Sequence, residues 1–309
     1  MVYETPQKLY HYCSLSTFYN IVKNKSIWVS DVQKSNDFLE VIWLKQLFTK
    51  QMNDELYKFQ LKLVNDLNVD QIDDFLNIYQ KANEAARIAF LKTWVFCLSE
   101  EKDLLSQWRG YADDGKGISI GFNGEFLDGI CSLYTSPSKD PKATIFFDKV
   151  HYDKNIANDY INETGISNVE KCQTIDELKQ CVFGAMAKLE KESPYFKNSS
   201  FAEEKEWRIV ITYVMDHFSG ADLSGFNTDD YNFGKLDYIV SNNKLVSHFE
   251  IKFPNINLAL GSNFRSLFLC LLRRNFRGLT IGFVVPRFYL YFKYSINFFA
   301  AIERALWLR

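Results

Sequence analysis

Residues 93–122, TWVFCLSEEKDLLSQWRGYADDGKGISIGF, contain two predicted strands and the connection between them. The stretch begins with an apolar run at residues 94–98, rich in side chains that favour a pleated surface, so a strand is predicted there. A short segment with apolar residues at helical spacing follows, and Asp113-Asp114-Gly115 has the composition of a turn. Residues 117–122 alternate and predict a second strand. The stretch therefore predicts strand, helical turn, tight turn and strand, a unit that can support a small domain.

Sheet and helix signals continue on both sides of this stretch. Residues 8–12 and 27–30 predict short strands on either side of a helix that Ser14 or Ser16 caps. Residues 38–91 have helical apolar spacing and predict a helical insertion between sheet elements. Further strands are predicted near residues 131–134, 143–152, 209–213, 236–240 and 246–253, and further helices at about 155–164 and 174–192. Because no internal repeat or linker interrupts this order, one α+β domain is expected over residues 1–260.

The overall composition predicts a folded chain with no general affinity for polyanions. The 309 residues are 47% hydrophobic, and the net charge is −2. Six cysteines show no Cys-x-x-Cys pair, and the polar N-terminus lacks the apolar segment of a signal peptide. Reduced cysteines and a cytoplasmic location are therefore expected.

The charge is distributed unevenly along the chain. Residues 1–250 carry 24 Lys, 3 Arg and 37 acidic residues, a net charge of −10. Residues 251–309 carry 2 Lys, 7 Arg and a single acid, Glu303, a net charge of +8, together with nine of the 27 Phe. Such a change in composition sets an atypical basic, aromatic tail at residues 261–309 apart from the rest.

Two interpretations of this tail stay open. One is an arm that binds a membrane surface or nucleic acid. The other, which we prefer, is the product of a reading frame that slipped near Gly261. Pro286, Arg287 and Lys293 make residues 278–301 a poor membrane span, so no transmembrane segment is expected. Exposed Phe side chains in the tail would favour association.

Several short motifs occur in a fixed order and carry a family resemblance. They are Leu9-Tyr10-His11-Tyr12, Ser35-Asn36-Asp37 with Glu40, Cys97-Leu98-Ser99 followed by Trp108 and Tyr111, residues 117–122, and Glu204-Lys205-Glu206-Trp207-Arg208. Together they resemble, over about residues 9–260, the bacterial family catalogued as domain of unknown function 2971. The sequence departs from that family at Phe38, where the family shows a proline, and after Gly261, where the usual C-terminal end is not recognisable.

The order of these elements resembles, more distantly, the ADP-ribosyltransferase fold. The shared features are a strand ending in His, a short helix, a strand ending in Ser, and a late strand led by Glu-x-Glu. The resemblance implies an α+β fold with a split, mixed or antiparallel sheet and helical insertions. It also implies that NAD is consumed as a substrate, by a toxin-like or phage-defence effector whose acceptor is a protein, a nucleic acid or a small molecule. The alternative from another class is a non-catalytic module that binds a protein or a nucleotide on the same fold.

The same resemblance assigns roles to particular residues. Glu206 would engage the nicotinamide ribose, where a carboxylate stabilises the positive charge of an oxocarbenium-like state, and Glu204 would activate an acceptor. Residues i and i+2 of a strand share one face, so these two carboxylates are expected to point into one cleft. The expected NAD contacts are His11, Tyr12, Ser30, Trp108 and Arg208.

Each candidate also has a purely structural interpretation. Residues 204–208 can form a solvated sheet edge with Trp207 packed inward, and His11 can be a hydrogen-bonded structural residue. Trp108 and Tyr111, at helical spacing, can belong to the core. The sequence leaves both interpretations open.

Other catalytic and binding motifs are not supported by the sequence. Residues 117–121 spell G-x-S-x-G, but Ser119 is predicted in the middle of a strand and not at a nucleophile elbow. The four His show no metal-ligand spacing, so no metal is expected. Walker and G-x-G-x-x-G loops are absent, which argues against an ordinary nucleotidase or dehydrogenase.

Overall fold

The computed structural model of the chain describes residues 4–32, 42–63, 69–87, 91–135, 143–214, 236–241, 243–253, 281–282 and 291–292. The strands are β1 (Lys8–Cys13), β2 (Ser26–Asp31), β3 (Leu91–Ser99), β4 (Ile118–Asn123), β5 (Ala143–Lys149), β6 (Glu206–Val214), β7 (Leu236–Ser241), β8 (Lys244–Lys252), β9 (Ile281–Gly282) and β10 (Tyr291–Phe292). The α-helices are α1 (Leu15–Asn24), α2 (Trp43–Leu63), α3 (Val69–Arg87), α4 (Leu105–Tyr111), α5 (Gly124–Thr135), α6 (Lys154–Glu163) and α7 (Ile175–Glu192).

The central stretch folds as its pattern predicts, with β3, α4 and β4 in succession. Between α4 and β4, a 3-10 turn places Asp113, Asp114 and Gly115 at φ values of 48°, 55° and 82°. Asp tolerates this left-handed region better than most residues and Gly adopts it freely, which explains the composition of the turn. Gly117 then passes close to β1, where an added Cβ would lie 2.2 Å from the carbonyl oxygen of Cys13.

Eight strands form one sheet, which divides at β3. On one edge β3 pairs along its whole length with β6, from Leu91 opposite Val214 to Ser99 opposite Glu206. On the other edge β2 pairs near the start of β3, and β1 meets its last residue, Ser99. One wing therefore contains β1 and β4, and the other contains β2, β8 and β7, while β5 lies outside β6. All of these pairs are antiparallel, so the predicted α+β fold with an antiparallel sheet and helical insertions is confirmed.

Alternation along the strands sends side chains into two separate cores. Trp94, Phe96 and Leu98 of β3 belong to the core that packs against α1 and α5. Val95 of β3 belongs to the other core, which contains α2, α3, α6 and α7. The sheet is thus covered on both faces, and its apolar area is the main stabilising contribution to folding.

Helix ends follow the capping rules that the sequence suggests. Ser14 caps α1, and its hydroxyl accepts a hydrogen bond of 3.1 Å from the backbone N–H of Thr17. Asp153 and Thr174 cap α6 and α7 in the same way. Lys25 ends α1 in the left-handed region at φ 54°, a position that Gly normally occupies.

The helical insertion predicted at residues 38–91 contains α2 and α3. The two helices pack through Phe59 and Phe75, whose ring centroids lie 6.1 Å apart. Lys45 of α2 also forms a buried ion pair with Glu190 of α7. The motif that contains Asn36, Asp37 and Glu40 lies outside the described residues.

The strand predicted at residues 131–134 is wrong, because this segment is the last part of α5. Leu127, Ile130 and Cys131 are buried at helical spacing against the sheet. Residues 131–134 therefore continue a helix, and confusion between helix and strand is common for runs of this length.

Four residues of the predicted tail belong to the part of the chain that the structure describes. Within the predicted tail at residues 261–309, β9 and β10 pair antiparallel with each other, and the other residues of the tail lie outside the described part. Among the helices that the structure describes, none is long and apolar enough to span a bilayer.

Candidate functional site

A small cavity opens at the end of β3 where the sheet divides, and it collects several of the predicted site residues. Its volume is about 40 Å³, which is room for roughly three water molecules. It therefore takes only a small chemical group. The lining residues are His11, Tyr12, Cys97, Leu98, Ser99, Gln107, Tyr111, Glu204 and Glu206.

Glu206 is the most strongly held side chain of the cavity. It is 5% exposed, and both of its carboxylate oxygens accept hydrogen bonds from Arg208, at 2.7 and 3.0 Å. Its backbone N–H donates to the hydroxyl of Tyr152 at 2.9 Å. This carboxylate is therefore fixed in position before any ligand arrives.

Lys197 joins the two predicted catalytic carboxylates. Its ammonium donates to Glu204 Oε2 at 2.6 Å and to Glu206 Oε2 at 2.9 Å. The two carboxylates do meet in one cleft, but strand alternation is not the reason. Glu204 ends a 3-10 helix (Ser199–Glu204), Lys205 adopts φ 43°, and β6 begins only at Glu206.

The charges of this cluster set its protonation state. Burial alone would raise the pKa of Glu206, but the charges of Arg208 and Lys197 outweigh it and lower that pKa to about 2. Burial likewise disfavours the charged form of Lys197, but Glu206 and Glu204 outweigh it and raise the pKa of Lys197 above its ordinary value. Glu206 and Lys197 are therefore both charged at neutral pH.

His11 reaches the same cavity from β1 as a neutral ring. Its Nδ1 lies 2.9 Å from the carbonyl oxygen of Cys97, and because a carbonyl can only accept, Nδ1 carries the proton. The ring also stacks on Phe96, with centroids 4.3 Å apart. Burial lowers the pKa of His11 to about 4, although the hydrogen bond to Cys97 acts in the opposite direction. Nε2 is then a hydrogen-bond acceptor, so His11 can accept from a ligand hydroxyl but cannot donate through this nitrogen.

Tyr12 and Trp108 have structural contacts that occupy their polar atoms. The hydroxyl of Tyr12 donates to the carbonyl of Glu101 at 2.7 Å and accepts from the backbone N–H of Leu104 at 3.0 Å. Trp108 packs edge-on against Tyr12, and its indole N–H donates to Asp103 at 2.8 Å. Tyr12 lines the cavity and Trp108 is not among its lining residues, so this geometry does not support the expected contact between Trp108 and NAD.

Arg208 and Ser30 also lie away from the cavity lining. Arg208 was expected to contact the cofactor, but its side chain is fully buried and holds Glu206 and the carbonyl of Pro194. Ser30 is paired with Val95 and His248 in the other wing of the sheet. His11, Tyr12, Glu204 and Glu206 therefore meet at one cavity, and Ser30, Trp108 and Arg208 do not line it.

A family model matches the part of the chain that contains most of these site residues. The family described as Protein of unknown function (DUF2971) matches residues 107–209. The match supports the resemblance to that family, and its description carries no activity. Neither a curated protein nor a solved structure matches the chain.

Residues 107–209, which the family model matches, include site residues that the sequence reasoning missed. Three of them were not predicted: Gln107 lines the cavity, Lys197 contacts both carboxylates, and the hydroxyl of Tyr152 accepts from the backbone N–H of Glu206. The only available signal for Lys197 was its closeness in sequence to Glu204 and Glu206. No periodic pattern in residues 193–200 indicates a buried lysine there.

The arrangement joins an ionised carboxylate to neutral hydrogen-bonding groups. Glu206 can stabilise positive charge, while His11 and the amide of Gln107 can bind hydroxyl or amide groups of a ligand. Among the described residues, no group of three His, Cys, Asp or Glu side chains could hold a metal ion.

Proposed function

We propose that this chain is an NAD-consuming protein of the ADP-ribosyltransferase type. The observation that carries the proposal is the meeting of Glu206, Glu204 and His11 at one cavity, although they lie far apart in sequence. A sheet that divides next to this cavity, as it does at β3, is also what the more distant fold resemblance implies. Because a fold alone does not imply a function, the proposal depends on the cavity residues.

In the proposed reaction, the bond between the nicotinamide nitrogen and the ribose carbon breaks. The electron pair leaves with nicotinamide, and the ribose carbon gains positive charge, which the carboxylate of Glu206 stabilises. Water or an acceptor hydroxyl then attacks that carbon, and Glu204 takes up its proton. Glu206 suits its role because its pKa of about 2 keeps it ionised at neutral pH.

The size of the cavity limits how NAD binds. A volume of about 40 Å³ takes a small group such as the edge of a ribose, so most of the dinucleotide would lie outside it. Nε2 of His11 would accept a hydrogen bond from a ribose hydroxyl, because Nδ1 is already bonded to Cys97. NAD is thus proposed as a substrate held mainly at its reacting end.

The test of this proposal is NAD consumption by the purified full-length chain. Release of nicotinamide is followed over time, and modified acceptors are detected by mass spectrometry in a mixture of protein, nucleic acid and small molecules. We expect nicotinamide release that depends on protein concentration. Absence of both NAD consumption and NAD binding would overturn the proposal.

A non-catalytic binding module is the second candidate, and one observation favours it. The two charges of Lys197 and Arg208 balance those of Glu204 and Glu206, as in a buried structural ion cluster. On this alternative the cavity binds part of a nucleotide or of a protein without chemistry. Binding of NAD or ADP-ribose without release of nicotinamide would identify this case.

A further inference from the structure

Lys197 is buried at the base of the carboxylate pair. Its side chain is 1% exposed, and its ammonium contacts one oxygen of Glu204 and one of Glu206. The ring of Phe201 also lies beneath the ammonium, 5.2 Å from nitrogen to centroid. Lysine is almost never fully buried unless it is paired, and here both partners are carboxylates that line the cavity.

The backbone fixes the position of Lys197 independently of its side chain. Its N–H donates to the carbonyl of His151 at 3.0 Å, directly after the bridge between His151 and Phe196. Tyr195 and Phe196, which precede it, are buried in the core. The backbone that carries the ammonium is therefore held by the fold, and its position does not depend on the carboxylates.

Two carboxylates that share a buried site repel each other. Arg208 holds both oxygens of Glu206, so without Lys197 it is Glu204 that would take up a proton, because like charges in a low-dielectric site raise one pKa strongly. Lys197 contacts both members, so its charge opposes this protonation directly.

We propose that Lys197 is a positioning residue that keeps Glu204 and Glu206 together as two ionised carboxylates facing the cavity. Its effect on turnover rests on the proposed function, while its effect on protonation does not. The lowered pKa of Glu206, to about 2, and the raised pKa of Lys197 have the directions that such a cluster requires.

The test is a titration of the carboxylates in the full-length chain carrying Lys197→Met. With glutamate labelled at the carboxyl carbon, infrared or carbon NMR spectra follow ionisation from pH 7 downwards. We expect one carboxylate of the pair to titrate at a pH about one to three units higher than in the wild type. Glu204→Gln in the Lys197→Met background removes the repulsion, so the raised titration should disappear and Glu206, held by Arg208, should stay ionised.

The matched control is Lys205→Met. Lys205 is half-exposed and pairs with Glu101 at the surface, so its loss should leave the titration of the pair unchanged. Lys197→Arg keeps the positive charge and should titrate like the wild type. If Lys197→Met does not fold, Lys197→Arg still tests the proposal. A raised carboxylate pKa in Lys197→Arg would show that a positive charge at this position is not enough to keep both carboxylates ionised.

Turnover separates this proposal from the proposed function. If the wild type consumes NAD, the acid limb of its pH profile should move to higher pH in Lys197→Met. If the wild type does not consume NAD, the proposed function fails while the titration still decides the role of Lys197. Unchanged titration of both carboxylates in folded Lys197→Met would overturn the proposal.

Discussion

At Glu206, burial and ion pairing act on one carboxylate in opposite directions. Burial disfavours its charge, and hydrogen bonds from Arg208 and Lys197 restore it. The outcome is an ionised group with a fixed orientation, which suits the stabilisation of developing positive charge. The same contacts make Glu206 important for stability, because removing one partner of a buried ion pair costs about 3–5 kcal/mol.

His11 predicts a specific dependence of stability on pH. Its pKa is lowered to about 4 in the folded chain, against an ordinary value of 6.5. Between these values the unfolded chain binds a proton that the folded chain does not, so stability is lost as the pH falls from 6.5 towards 4. We expect His11→Gln to remove up to about 1.4 kcal/mol per pH unit of this slope. Urea denaturation across this pH range measures it, and an unchanged slope would contradict the neutral state of His11 in the folded chain.

The site residues show what sequence reasoning can and cannot supply. The motif positions of His11, Glu204 and Glu206 indicated residues that the structure brings to one cavity. Strand periodicity gave the wrong reason for the meeting of the two carboxylates, since Lys205 lies in the left-handed region between them. Lys197 could not be found at all, because its place is fixed by tertiary contacts with His151 and not by local spacing.

At the scale of elements, α4 is attached to the sheet mainly through Tyr12. None of the residues of α4 is buried, and the hydroxyl of Tyr12 bonds to Glu101 and Leu104 just before the helix. We expect Tyr12→Phe to lower stability by about 1–2 kcal/mol and to speed hydrogen exchange in residues 101–111. Tyr19→Phe, at a half-buried position on α1, serves as the control. Unchanged exchange in Tyr12→Phe would show that other contacts hold α4.

At the end of α1, a Gly substitution should have opposite effects on stability at Lys25 and at Lys23. Lys25 has φ 54°, where a side chain is strained and Gly is not. Lys25→Gly should therefore raise the free energy of unfolding by about 0.5–1 kcal/mol. Lys23→Gly, inside the same helix, should lower it by about 1 kcal/mol. Thermal or urea unfolding compares the two, and equal signs would contradict the assigned helix end.

Most elements were predictable because their signals are local. Capping by Ser14, the helical insertion and the strands of the central stretch follow from side-chain spacing and turn chemistry. The assignment of residues 131–134 failed because a run of four residues is too short to show a clear period. The division of the sheet was not visible in any single segment, since it arises from the different partners of β3 along its length.

At the scale of the whole molecule, the eight-stranded sheet lies within residues 8–252. We therefore expect the chain truncated after residue 260 to unfold cooperatively, with a midpoint close to that of the full chain. We also expect it to associate less, because the truncation removes eight of the nine Phe of residues 251–309. Circular dichroism and sedimentation measure the two quantities. Loss of the folded state on truncation would show that the tail contributes to the core.

The charge of Glu206 is the centre of the functional account, and Glu206→Gln tests it while keeping the shape of the side chain. This variant removes the carboxylate charge that Arg208 and Lys197 share, while Lys197 keeps its contact with Glu204, so the folding of the variant is measured alongside its activity. Adding Lys197→Met to Glu206→Gln removes one positive charge from the cluster that Lys197 and Arg208 form with the two carboxylates. The double variant is a second case in which folding and activity can be compared. Glu203→Gln, exposed and three residues away, is the matched control.

The measurement is nicotinamide release from NAD by these folded variants under identical conditions. We expect the rate to fall about a hundredfold or more in Glu206→Gln and in the double variant, the scale seen when one charge-stabilising group is lost. Glu203→Gln should keep the wild-type rate. Turnover in folded Glu206→Gln equal to that of the wild type would contradict the account.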